Sequence, residues 1–175
     1  MSFGFPKWTK AVQCIQDAIV GAYKAGVVIF AAARNSGGND DIAYPANQHE
    51  VICISSTDGN GNPSGFNPSA VPGRNFSTLG ENVLSSWPQS ESVWKSGTSY
   101  STPIAAGIGS LILEYVRHKL PEYEMKIKGI QGMQAILDLM AKERDDFKYI
   151  APWRLFSGNQ QENIRFKVED ALSKV

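Results

Sequence analysis

Cysteine and histidine are scarce in this sequence, with two of each among 175 residues: Cys14 and Cys53, His49 and His118. Two thiols in apolar surroundings are too few to staple a small secreted scaffold, and they read as buried side chains. No Cys/His cluster has the spacing of a zinc site, and no cofactor is implied. Surplus charge is missing as well. Seventeen Lys and Arg meet seventeen Asp and Glu, so no net field draws nucleic acid or an acidic membrane surface. No apolar run reaches membrane-spanning length, and Met1–Lys7 has none of the features of a signal peptide, so an intracellular place is expected. Hydrophobic residues make up 42% and charged residues 19%, which excludes disorder as the main state. A chain of this length can bury roughly 70% of its unfolded surface.

Apolar spacing at Ala11, Val12, Ile15, Ala18, Ile19 and Ala22 predicts a helix over 8–25, stopped by Gly26. The continuous apolar run over 27–33 predicts a strand buried on both faces, and 51–57 a second. The seventeen residues between them, rich in Gly, Asn, Asp and Pro, suffice for a crossover between parallel strands. Shorter strands are expected at 76–79 and 83–85, a long helix at 103–118, further helices at 130–143 and 161–173, and a joint at Ala151-Pro152-Trp153. This order predicts an α/β fold, a mostly parallel sheet flanked by helices.

Two short segments carry candidate chemistry. In Gly97-Thr98-Ser99-Tyr100-Ser101-Thr102-Pro103, ahead of the long helix, Ser99 would meet free backbone N–H groups and the positive end of the helix dipole. That setting suits a nucleophile whose attack creates an oxyanion; the plainer alternative is that Thr98 or Ser99 only caps the helix. In Ala31-Ala32-Ala33-Arg34-Asn35-Ser36-Gly37-Gly38, Asn35 lies past the carboxyl end of a buried strand, where functional groups of parallel sheets collect. Its amide can donate to developing negative charge, or it can serve only as a turn residue.

Together with Ser2-Phe3-Gly4 and Tyr44-Pro45-Ala46, these segments resemble, in order and spacing, the subtilisin-like serine peptidases, the subtilases. The resemblance runs from Met1 to about residue 118. It implies a partial three-layer subtilisin-like domain over 1–128, the carboxyl half of a catalytic domain, with a helical C-terminal extension over 129–175. It implies Ser99 as the nucleophile, Asn35 and the Ser99 backbone N–H as oxyanion-hole donors, and Ser2, Phe3, Gly4, Gly97 and Thr98 along the cleft for a protein or peptide substrate. Arg34 stands where the family usually has glycine, and Ile104 where a histidine without a catalytic role is common.

A serine needs a base, itself oriented by a carboxylate. His118 lies nineteen helical residues from Ser99, roughly 25–30 Å away. His49 precedes one strand while Asn35 follows the other, so parallel pairing sets them roughly 20 Å apart. Neither is the base. In the family Asp and His come from the half of the domain ahead of Ser-Phe-Gly. The expectation is therefore that the chain is a fragment, that Met1 is an internal methionine, and that an upstream segment supplies Asp and His. The alternatives are a catalytically inactive peptidase-like module that binds peptides or partner proteins, and an unrelated α/β domain sharing Gly-Thr-Ser by accident. Asp58, Asn60 and Asn62 imitate a calcium loop, but Pro63 and Ser69 fall where glycine and glutamate are needed, so a turn is expected and no metal. Asp40-Asp41 and Arg144-Asp145-Asp146 read as solvated loop and helix-end charges.

Overall fold

A computed structural model describes residues 1–157 and 161–175; three residues of the expected extension, 158–160, lie outside the described residues. The chain enters through a short 3-10 turn, Lys10–Val12, into α1 (Gln13–Lys24). Ile19 on its inner face is buried and Ile15 partly so, whereas Cys14 is exposed. The expectation of two buried thiols is thus corrected: Cys14 sits on the outer side of an amphipathic helix, and only Cys53 is inside.

Strands β1 (Phe30–Ala32), β2 (Ile52–Thr57) and β3 (Phe76–Leu79) pair in parallel, with Phe30 beside Ile52 and Ile54 beside Phe76. β1 is shorter than the predicted 27–33 because its ladder with β2 opens only at Ile52, leaving Val27 half exposed ahead of it. All six residues of β2 are buried, and alternation divides them between two cores. Phe30, Ile52, Ile54 and Phe76 face one core, and Ala31, Ala33, Val51 and Cys53 face another under α1. A strand covered on both sides needs no polar face, and so Val51-Ile52-Cys53-Ile54 runs apolar without alternation before the buried Ser55-Ser56-Thr57.

An antiparallel hairpin, β4 (Val83–Trp87) and β5 (Glu91–Lys95), stands apart from the main sheet and leads into α2 (Thr98–Lys119). α2 begins five residues ahead of the predicted start. Pro103 is inside it, and the Thr102 hydroxyl takes up the Thr98 carbonyl at 2.8 Å within the opening turn. Ala105, Ile112 and Val116 press onto the sheet. After the short α3 (Glu124–Ile127), α4 (Ile130–Met140) adds Met133, Ile136, Leu137 and Met140 to the same core. Each such side chain contributes about 1.5–3 kcal/mol by leaving water.

The wholly helical character expected after residue 129 is corrected by β6 (Ala141–Arg144) and β7 (Phe147–Ile150). β7 lies parallel to β3 and β6 antiparallel to β7, giving the order β1-β2-β3-β7-β6. Asp145 and Asp146, expected as helix-end charges, form the two-residue hairpin turn with φ of 43° and 68°. Asp tolerates that left-handed region better than most residues, so the adjacent pair was the available signal. Beyond Ala151-Pro152, α5 (Trp153–Phe156) and α6 (Gln161–Ser173) complete the chain, with Val168 and Leu172 buried against α4 and its neighbours. Among the described residues no helix is long and apolar enough to cross a membrane.

Candidate active site

The carboxyl end of β1 and the amino end of α2 meet, as a parallel sheet with helices on its faces requires. Asn35 Oδ1 accepts the Thr98 backbone N–H at 2.8 Å and the Thr98 hydroxyl at 3.0 Å. A backbone N–H can only donate, so the carbonyl side of the Asn35 amide must face Thr98 and the NH2 side is turned away from it. Gly97 permits this fit: its φ is 152°, and a Cβ there would stand 2.9 Å from Asn35 Nδ2. Ser99 occupies the first turn of α2, where its backbone N–H has no carbonyl of its own helix to bind.

The segment ahead of α1 runs past the same point. Met1 donates to the Phe30 carbonyl and accepts from Ala32 N–H at 3.0 Å, in the pattern of a parallel bridge to β1. Phe5 and Tyr44 exchange backbone hydrogen bonds of 2.7 and 2.9 Å. Held at both ends, Ser2 presents its carbonyl to Ser99, whose Oγ donates to it at 2.8 Å. A pocket of about 230 Å³ opens here, lined on one side by Phe3, Gly4 and Phe5 and on the other by Arg34, Asn35, Thr98 and Ser99. Of the residues singled out from the sequence, Phe3, Gly4, Asn35, Thr98 and Ser99 thus share one wall system. Ser2 touches Ser99 without lining the pocket, and Gly97 is buried behind Asn35.

A layer of buried hydroxyl and amide groups under the first turn of α2 has no counterpart in the sequence motifs. Asn67 brackets Ser56, accepting its N–H at 2.9 Å and donating to its carbonyl at 2.7 Å, and the Ser64 hydroxyl donates to that of Ser56 at 2.9 Å. The Thr78 hydroxyl donates to the Ser101 carbonyl at 2.9 Å, tying β3 to α2. The signal for this layer was the run Ser55-Ser56-Thr57 in an otherwise apolar strand.

His49 is exposed beside Glu50 at 3.2 Å, at the opposite end of the parallel ladder from Asn35. His118 pairs with Glu114 at 2.7 Å in the last turns of α2, nineteen residues beyond Ser99 and about 28 Å along the axis. No His or acidic side chain among the described residues contacts the Ser99 hydroxyl, whose hydrogen-bond partner is the Ser2 carbonyl. Asp58 accepts Asn60 and Asn62 N–H at 2.8 Å and the Asn62 side chain at 2.9 Å. These bonds, the Asn62 side chain foremost, hold its carboxyl below the ordinary range. Among the described residues no three His, Cys, Asp or Glu side chains gather into a metal-binding group.

A mostly parallel α/β sheet thus brings a serine at a helix amino end and an asparagine past the neighbouring strand to one pocket. A profile of the Subtilase family (Peptidase S8) matches residues 1–146, and the chain belongs to that family, as a carboxyl-terminal part of its catalytic domain. It is similar to subtilisin DY of Bacillus licheniformis, 34% identical over 116 residues that make up 65% of this chain and 41% of the relative. Thermitase of Thermoactinomyces vulgaris is 37% identical over 100 residues, 56% of this chain and 34% of that one. The chain therefore spans about two-fifths or less of the length of these relatives. In fold it resembles the structure of prenylagaramide maturation protease PagA, with a TM-score of 0.66 at 21% identity, over 98% of this chain and 60% of that one.

Proposed function

We propose that Ser99 is the nucleophile of a serine endopeptidase and that this chain is the half of the catalytic domain that carries nucleophile and oxyanion hole. In this reading residues 1–128 are the catalytic portion and 129–175 its extension. The single observation that carries it is the Asn35 amide: its oxygen is engaged by Thr98, its Nδ2 has no hydrogen-bond partner among the described residues, and Asn35 and Ser99 line one pocket. Ser99 Oγ attacks the carbonyl carbon of a peptide bond, and its proton passes to a base. The carbonyl oxygen becomes an oxyanion that accepts from Asn35 Nδ2 and the Ser99 N–H. Collapse breaks the C–N bond as the base returns the proton to the leaving amine, and water then hydrolyses the acyl-enzyme. Phe3, Gly4 and Thr98, with Ser2 and Gly97 behind them, shape the cleft for a protein substrate.

The base and its orienting carboxylate come from polypeptide outside these 175 residues, since a backbone carbonyl such as that of Ser2 is no proton acceptor at neutral pH. In subtilisin, loss of the triad costs about a millionfold in rate; with that figure carried over from subtilisin, the isolated chain shows no triad-dependent hydrolysis. A second reading, a catalytically inactive module that binds peptides or proteins, is favoured by the neutral partner of Ser99. A fluorophosphonate probe separates the two when applied to the protein together with the segment bearing Asp and His. Labelling that disappears in Ser99→Ala supports the peptidase. A folded protein that takes up no label identifies the binding module instead. The comparisons lend no support to the intracellular placement expected from the sequence.

A further inference from the structure

Among the described residues that line the pocket beside Ser99, Arg34 is the one with an ionisable side chain. The rest of that lining is aromatic, aliphatic or neutral, with Phe3, Phe5, Ala32 and Ala43 supplying its apolar surface. At about 230 Å³ the space lies below the range of about 300–1,000 Å³ usual for whole small-molecule sites, which suits a single side chain. The guanidinium is three-quarters covered and held in place: Nε donates to Ser36 Oγ at 3.0 Å, and Nη2 meets Asp40 Oδ2 at 3.1 Å. Those contacts use two of its five N–H groups, and Nη1 has no partner among the described residues. Asp40 is more open to solvent than Arg34, with 43% of its side chain accessible against 24%. A half-exposed pair of this kind is weak and can be exchanged for a carboxylate that arrives in a drier place.

Resting on the peptidase-cleft reading, we infer that Arg34 makes this pocket selective for an acidic substrate side chain, at the residue whose carbonyl faces Ser99. The methylenes of the substrate residue lie against the apolar wall, and its carboxylate accepts from the free Nη1 edge of Arg34. A lysine in the same place meets a like charge and is excluded. Asp40 acts as the placeholder that steadies the guanidinium in the empty pocket.

The test is binding. Together with the segment bearing Asp and His, and with Ser99→Ala to prevent turnover, the chain is titrated by NMR with capped tetrapeptide amides that differ only in the last side chain: Glu, Gln, Leu or Lys. The Glu peptide binds about tenfold more tightly than the Gln peptide, the size expected when one hydrogen bond to a charged group is gained. Its addition shifts the Arg34 Nε–H resonance. Arg34→Gln, similar in size and uncharged, removes the preference; Arg34→Glu turns it toward the Lys peptide; Asp40→Asn sharpens it. Equal affinities with Arg34 in place, or a Glu preference that survives Arg34→Gln, overturn the assignment to Arg34 while leaving the peptidase reading to the fluorophosphonate result. Failure of every peptide to bind removes the peptide cleft itself, and the selectivity with it.

Discussion

Arg34 has φ of 151°, outside the region that a residue with a Cβ enters readily and inside the one open to glycine. Such a conformation costs on the order of 1–3 kcal/mol and persists where the surroundings hold it. Here the holders are the pairing of β1 with β2 on one side and the Asn35–Thr98 contact on the other. Replacing Arg34 by glycine or by alanine removes the Asp40 ion pair equally, so comparing the two variants isolates the backbone. Arg34→Gly is expected to be more stable than Arg34→Ala by about 1 kcal/mol in urea unfolding. Equal midpoints would mean that the strain only offsets the extra freedom glycine has in the unfolded chain, and a more stable Arg34→Ala would mean that the backbone here carries none.

At the level of the secondary-structure element, α2 is seated by close approach as much as by apolar burial. A Cβ on Gly80 would fall 2.0 Å from Ser101 Oγ, 2.5 Å from Ser56 Oγ and 2.9 Å from the Gly97 carbonyl. Ser101 Oγ is itself buried without a hydrogen-bond partner. Gly80→Ala therefore pushes the first turn of α2 off its seat and is expected to cost about 1–3 kcal/mol, the usual range for overpacking. Ser101→Ala removes an unsatisfied hydroxyl and is expected to stabilise by about 1 kcal/mol. In the double variant Gly80→Ala costs less than alone, and thermal unfolding of the four proteins measures that coupling. Simple additivity would show that the two positions do not press on each other.

The same elements show where sequence reasoning reaches. α1 was legible because burial on one face imposes a helical period on its side chains, and β2 because burial on both faces leaves a continuous run without alternation. The start of α2 was not: proline normally marks a first turn, whereas here Pro103 is the sixth helical residue. β6 and β7 were hidden because Lys142, Glu143 and Arg144 read as a polar helix end, and pairing with a strand seventy residues earlier leaves no local trace. Asn35 and Ser99 could be picked out by order and chemistry. Ser56, Asn67 and Gly80, which support them, could not, since each means something only when its neighbour in space is known.

Across the whole molecule, the two thiols separate surface from interior. Burial pushes the Cys53 thiol up to about 12 from an ordinary 9.0, with Arg74 pulling weakly the other way. The folded chain keeps this thiol protonated where the unfolded chain ionises it. Its contribution to stability is therefore complete below about pH 9 and falls away as pH rises from there toward 12. Iodoacetamide at pH 8 is expected to modify one cysteine, Cys14, in the native protein and both in denaturant, as read by mass. Rapid modification of Cys53 without denaturant would show that β2 opens locally instead of with the whole sheet.

Strand β7 joins the sheet beside β3 although 67 residues separate Leu79 from Phe147 in the chain. Contacts of such long sequence separation are slow to form. A ribosome must therefore have released the chain through Ile150 before β7 can close on β3. Until then the rim of β3 that β7 covers stays open, and the timing of translation, as much as the order of residues, governs when that side of the sheet is sealed.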